Sequence, residues 1–182
     1  MTPVFYIFGF VAIASAVIVC GFKPITIMVT LFLLLLAAAG ASDVNKGIVP
    51  DLISITIAVI AVIKFIVNGI TLANALDSLE GAVCLALPML IVALIIKGGF
   101  GGGDIKLMAA AGLYLGLDKT LIAGLITFFL AGCYGIYILI VKRKGVKAKV
   151  RFAPYIALGC AFSELFGNDF ETIFKTFITP FH

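Results

Sequence analysis

Two aspartates stand where an apolar chain tolerates them least. Asp43 closes one apolar run, in LAAAGASDVNKGIVPD, and Asp104 opens another, in GGFGGGDIKLMAAAG. Ionisable groups at the edge of an apolar segment are costly unless paired or hydrated, which makes both functional candidates. Asp104 would also suit the first turn of a helix, where an acid answers the helix dipole. Of the six residues between Lys97 and Asp104, five are glycine (Gly98, Gly99, Gly101, Gly102 and Gly103). A plain turn needs one or two. A run of five lets another backbone approach closely and can take left-handed or extended geometry. Two carboxylates brought together share a proton, because ionising one makes ionising the other harder. The ionised member can then act as general base on a water while the protonated member polarises a carbonyl.

Other chemistries lack the residues they need. Cys20, Cys84, Cys133 and Cys160 stand singly in apolar runs, and the single histidine is His182. No Cys/His spacing for zinc or haem exists, the cysteines read as small buried hydrophobes, and neither metal nor cofactor is expected. The glycine run is not followed by GK[ST], as a phosphate-binding loop would be.

The elements that must position the two acids are membrane helices. The 182 residues are 63% hydrophobic and 12% charged, with mean hydropathy +1.27. A soluble domain is about half apolar and about a quarter charged, so a water-soluble globule and a disordered chain are both excluded. Continuous apolar runs, rather than ten-residue alternating segments, favour helices over a β-barrel. The reading is an all-α polytopic transmembrane bundle of six to seven helices. Candidate spans lie at 4–21, 25–41, 48–67, 79–96, 105–117, 120–141 and 153–166. The chain reads as a single membrane-embedded domain over 1–182, with an extra N-terminal span at 4–21 and a core over about 25–166. The N-terminus lacks the basic flank and cleavage site of a signal peptide.

Orientation follows from the basic residues. With the 42–47 loop cytoplasmic, the 97–104 and 142–152 loops lie on the same side. Together with their flanks these loops carry Lys46, Lys97, Lys106, Lys142, Arg143, Lys144, Lys147, Lys149 and Arg151, nine of the thirteen basic residues. This places the N-terminus and both aspartates inside and the C-terminus outside. The basic 142–151 run is what that rule predicts, with contact to anionic lipid headgroups an addition. No aromatic residue interrupts it for base stacking, so no nucleic-acid partner is expected.

These residues resemble a known family. Gly101-Gly102-Gly103-Asp104 followed by IKLMAAAGLYLG is similar to the GxGD motif of the type IV prepilin peptidases, aspartic proteases of the membrane. Asp43-Val-Asn-Lys-Gly-Ile-Val-Pro50-Asp51 has the form of that family's first aspartate block, and Arg151-Phe-Ala-Pro154 resembles its block before the last helix. The three blocks fall in the family's order over about 43–159.

The resemblance implies that Asp43 and Asp104 are the catalytic pair. Gly101 and Gly103 would shape the loop that positions Asp104 and admits substrate backbone. Lys106, where the family often has lysine, would tune the local potential or serve topology, and Asp51 would cap a helix after Pro50. The implied reaction removes the short basic leader of a prepilin-like membrane protein at the cytoplasmic face of a prokaryotic cell membrane. Without the paired CxxC motifs of the larger bifunctional members, the sequence resembles the short forms, such as those of Flp/Tad-type pilus systems, and methylation is not expected. The alternatives are a proton-coupled transporter using Asp43 and Asp104 as a relay, or a non-catalytic membrane subunit of a pilus or secretion apparatus.

Overall fold

The computed structural model describes the backbone of residues 24–96, 100–140 and 151–178, with side chains apart from those of residues 24, 25, 139 and 168–178. The expected span at 4–21, Gly98, Gly99 and most of the basic 142–151 run lie outside the described residues. Six helices follow one another: α1 (Pro24–Lys46), α2 (Asp51–Val67), α3 (Leu72–Ile95), α4 (Gly102–Leu115), α5 (Leu117–Ile140) and α6 (Ala153–Ile178). Among the described residues the fold is all-helical, a helical membrane bundle.

Local chemistry sets the helix ends, and it moves several of them from the expected positions. α1 runs past residue 41 to Lys46, so Asp43 lies inside its last turn rather than after it. It stops at Gly47, whose φ of +70° suits a residue without Cβ and whose N–H bonds the Asp43 carbonyl at 2.8 Å. α3 starts at Leu72 instead of residue 79, because the Thr71 side chain accepts the Asn74 N–H and caps it. The helix thus takes up Asp77, which hydropathy alone leaves outside. α6 continues beyond residue 166 to Ile178.

α1, α3 and α5 are long and apolar enough to cross a membrane, over Thr26–Lys46, Leu72–Ile95 and Leu117–Ile138. α4 has 14 residues and is about 21 Å long, short of the roughly 30 Å hydrocarbon core. α4 is also the centre of the bundle, packing against α2, α3, α5 and α6 and burying Leu107, Met108, Ala111 and Tyr114. A helix jacketed by protein need not carry its ends to the membrane surface. The outer helices turn Val59, Ile63, Leu79, Val83, Leu125 and Phe129 outward, as lipid requires.

Between helices the contacts rely on small residues, because lipid tails are as apolar as leucine and close backbone approach must supply the attraction. A Cβ at Gly81 of α3 would stand 2.5 Å from the carbonyl oxygen of Gly112 in α4. Gly40 of α1 packs on Pro154 of α6, where a Cβ would lie 3.3 Å from Pro154 Cα. Of the cysteines, Cys160 is buried as expected, Cys84 is half-buried, and Cys133 is exposed on α5. An apolar thiol can face lipid as readily as a core, so apolar context alone does not fix its burial.

Candidate active site

The helices alternate in direction, so the end of α1, the starts of α2, α4 and α6, and the end of α5 meet at one end of the bundle. Asp43 and Asp104 both lie there, and both are buried, at 6% and 9% exposure.

Asp43 is tied to the start of α6. Its Oδ2 accepts the backbone N–H of Ala153, the first residue of that helix, at 3.3 Å. The first N–H groups of a helix have no partner inside it, and the helix dipole favours an anion beside them. Asp43 therefore caps a helix 110 residues away in sequence, which offsets the unfavourable C-terminal dipole of its own helix. The contact is long for a charge-assisted hydrogen bond, and Oδ1 has no protein partner among the described residues.

Asp104 is the third residue of α4, after the extended Gly101 (φ −73°, ψ 140°). Its carboxylate folds back over Gly101, where a Cβ would come within 2.9 Å of Oδ2. Gly103 faces the segment that follows Asp43, and a Cβ there would meet Val49 Cβ at 3.1 Å and Val49 O at 3.2 Å. Gly102 and Gly103 belong to the helix, not to a loop, and among the described glycines those with positive φ are Gly47, Gly69 and Gly116. Left-handed geometry is therefore not why glycine stands at 101–103. At Gly101 crowding by the Asp104 carboxylate explains it, and at Gly103 crowding by Val49, whereas a Cβ at Gly102 would meet nothing within 4 Å.

The two acidic corners are joined through aromatic residues. Phe100, just before Gly101, meets Phe152, just before Ala153, edge to face with ring centroids 4.9 Å apart. Phe128 of α5 packs on both rings. Asp43 is thus linked through Ala153 and Phe152 to Phe100 and the start of α4, and through Val49 to Gly103, the neighbour of Asp104. Hydropathy did not single out Phe100 or Val49, although Val49 belongs to the block that runs from Asp43 to Asp51.

Lys106 and Asp51 part from expectation. Pro50 occupies the N-cap of α2, and no side chain caps that end. The Asp51 carboxylate instead accepts both of its hydrogen bonds from Lys106 Nζ, at 3.0 and 2.9 Å. Asp51 has left the capping position for the first turn, and α4 brings a cation against it. Their side chains are 60% and 61% exposed, so the pair braces the outside of the corner. Among the described residues no group of three or more His, Cys, Asp or Glu could hold a metal ion.

Comparisons with known proteins place the chain in a family. A model described as the type IV leader peptidase family matches residues 28–136, more than half of the chain. The chain is also similar to a prepilin leader peptidase/N-methyltransferase of Bacillus subtilis (strain 168), with 30% identity over 142 residues. That match covers 76% of this chain and 55% of the relative, so the chain spans about half the length of the curated relative it matches. No solved structure matches.

Proposed function

This chain belongs to the type IV leader peptidase family, and from that premise we propose that it is a membrane aspartic endopeptidase. It removes the short basic leader of a prepilin-like membrane protein, with Asp43 and Asp104 as the catalytic pair. The observation that carries this reading is the convergence of two buried carboxylates from distant segments at one end of the bundle. Each lies at a helix N-terminus, Asp43 at that of α6 and Asp104 at that of α4.

The chemistry follows from the pair acting as one unit with one proton. A water held between the carboxylates gives a proton to the ionised member, and its oxygen attacks the scissile carbonyl carbon. The protonated member donates to the carbonyl oxygen as negative charge develops there. The tetrahedral intermediate collapses when the leaving amine takes up a proton from the pair, which restores the single shared proton. Asp43 Oδ1, without a protein partner among the described residues, is suited to hold the water. The Ala153 N–H on Oδ2 fixes the orientation of that carboxylate.

The basic bias of the 42–47, 97–104 and 142–152 segments supports a cytoplasmic site in a prokaryotic cell membrane, the side on which a basic leader would remain. Gly101 and Gly103 serve the reaction by letting Asp104 and Val49 close on the backbone. Lys106 acts from outside by bracing α4 against α2. The basic 142–151 run contacts anionic lipid. The reading covers hydrolysis alone, over a single peptidase domain spanning 1–182.

The test is cleavage of a co-expressed pilin-like precursor by the wild type, Asp43→Asn and Asp104→Asn. A size shift with the wild type alone is expected, and cleavage by either variant removes that residue from the mechanism.

A further inference from the structure

The other end of the bundle carries a second polar site that the peptidase reading does not use. α2 and α3 both pack on α4 rather than on each other, and their ends at 68–71 leave a cavity of about 390 Å³ above the end of α4. Its lining is polar: Lys64 from α2 and Asn68 just past its end, Asp77 and Ser78 from α3, and Tyr114 from α4 with Gly116 just past its end. Lys64 sits in the apolar second half of α2 and is held by more than one contact. Its Nζ donates to the Tyr114 carbonyl oxygen at 2.9 Å, lies 3.9 Å from the centroid of the Tyr114 ring, and stands 3.9 Å from Glu164 Oε1. Glu164, whose side chain is 6% exposed, is engaged more closely by Lys119 at 3.1 Å. An ammonium group has three N–H donors, and among the described residues this one gives a single hydrogen bond to protein. Its contacts to the Tyr114 ring and to Glu164 are looser, at 3.9 Å, so donor capacity remains at the cavity wall. On the facing wall Asp77 accepts the Leu117 N–H through Oδ1, which leaves Oδ2 for another donor.

An apolar groove of about 160 Å³ adjoins the cavity and shares Ala61, Phe65, Ser78 and Leu113 with it. Val62 and Leu79 carry it to the outer faces of α2 and α3, where they are 50% and 56% exposed. A polar chamber continuous with an apolar groove on the lipid-facing side of a membrane protein fits an amphiphile. The charges select its head. The charged residues that line the cavity are Lys64 and Asp77, one of each sign, and behind them Lys119 and Glu164 pair with each other, so a head with a net charge would be left unbalanced. The cation and the free carboxylate oxygen lie on different helices. A zwitterion matches both, with an anionic group on Lys64 and an ammonium group on Asp77.

We propose that this cleft between α2 and α3 is a binding site for one zwitterionic glycerophospholipid. The phosphate sits on Lys64, the headgroup amine on Asp77, and an acyl chain lies in the groove along Val62 and Leu79. The site is separate from Asp43 and Asp104 and stands whether or not they cleave a peptide.

The test is native mass spectrometry of the detergent-purified full chain, titrated with phosphatidylethanolamine, phosphatidylglycerol and soluble phosphorylethanolamine. One phosphatidylethanolamine is expected to be retained, and at least tenfold more strongly than either other probe. Lys64→Met should weaken retention at least tenfold, Asp77→Asn should remove the preference over phosphatidylglycerol, and Lys106→Met at the other end should change neither. Because Lys64→Met disturbs a buried ion cluster, Ser78→Trp provides a second route. It blocks the junction of chamber and groove while leaving every charge in place, and it should also abolish retention. Equal retention of both lipids by the wild type, or retention unchanged in Ser78→Trp, would overturn the proposal in favour of non-specific lipid. Phosphorylethanolamine binding as strongly as the lipid would overturn it in favour of a soluble ligand, and a co-purified peptide in the cleft would assign the cleft to protein.

Discussion

The carboxylate of Asp43, in the last turn of α1, accepts a hydrogen bond from the backbone N–H of Ala153, the first residue of α6. One side chain thus closes one helix against the start of another, and holds a buried carboxylate in a fixed direction. Asp104, at the start of the central helix, faces the same end of the bundle.

If the two aspartates share the chemistry, neither can be spared. Asp43→Asn and Asp104→Asn should each lower cleavage by at least about a thousandfold, of the order lost when one member of a catalytic unit is removed. Asparagine still accepts a hydrogen bond from Ala153, so membrane insertion and thermal unfolding in detergent should change little. A variant that keeps a tenth of wild-type cleavage contradicts the assignment.

The Asp51–Lys106 ion pair is exposed on both sides, and such pairs contribute about 0.2–1 kcal/mol. Asp51→Asn and Lys106→Met should therefore retain most activity and most stability. Complete loss of cleavage in Asp51→Asn, measured on the same precursor, would mean that the catalytic carboxylates include Asp51.

Gly103 has little room for a side chain, because a Cβ there already meets Val49 Cβ and the Val49 carbonyl oxygen closely. Gly103→Val must push the 48–50 segment away from α4, and with it the turn that follows Asp43. Cleavage should fall at least tenfold, with kcat rather than KM carrying the loss, because a misplacement of about 1 Å is costly to catalysis. Full activity in this variant would leave Gly103 with no positioning role.

Glu164 offsets two lysines in the interior. Removing one partner from a buried charge cluster typically costs about 3–5 kcal/mol, because the remaining charges stay buried without compensation. Glu164→Gln should lower the unfolding temperature in detergent by several degrees or prevent accumulation in the membrane. An unchanged Tm would show that solvent reaches the cluster freely.

A mechanism carried by two carboxylates and a water needs no metal. Cleavage by the purified protein should be unchanged by EDTA or phenanthroline, and inhibition reversed by added metal would replace the aspartic mechanism with a metal-dependent one.

Much of the molecule is legible in the chain itself. An apolar fraction of 63% with few charges can be accommodated only by lipid, and the long apolar runs predict helices because a backbone in hydrocarbon must bond to itself. Asp43 and Asp104 stand out for the same reason, since a charge beside an apolar run requires a partner or a use. Helix ends were read less well. Hydropathy left Asp77 outside α3, where the Thr71 cap draws it in, and it ended α1 before Asp43, where the Gly47 stop lies beyond it.

Partnership between distant residues was decided only by tertiary structure. Nothing local to Asp43 points to Ala153, nothing local to Asp51 points to Lys106, and Lys64 carries no sign that Glu164 and the Tyr114 carbonyl oxygen await it. Hydropathy and spacing act over a few residues along the chain. Which helix ends meet depends instead on how the helices pack about short α4, and so on close approaches such as Gly81 against Gly112 and Gly40 against Pro154. The sequence therefore determined that this is a helical membrane protein with two exceptional acids, and the packing determined what each of them touches.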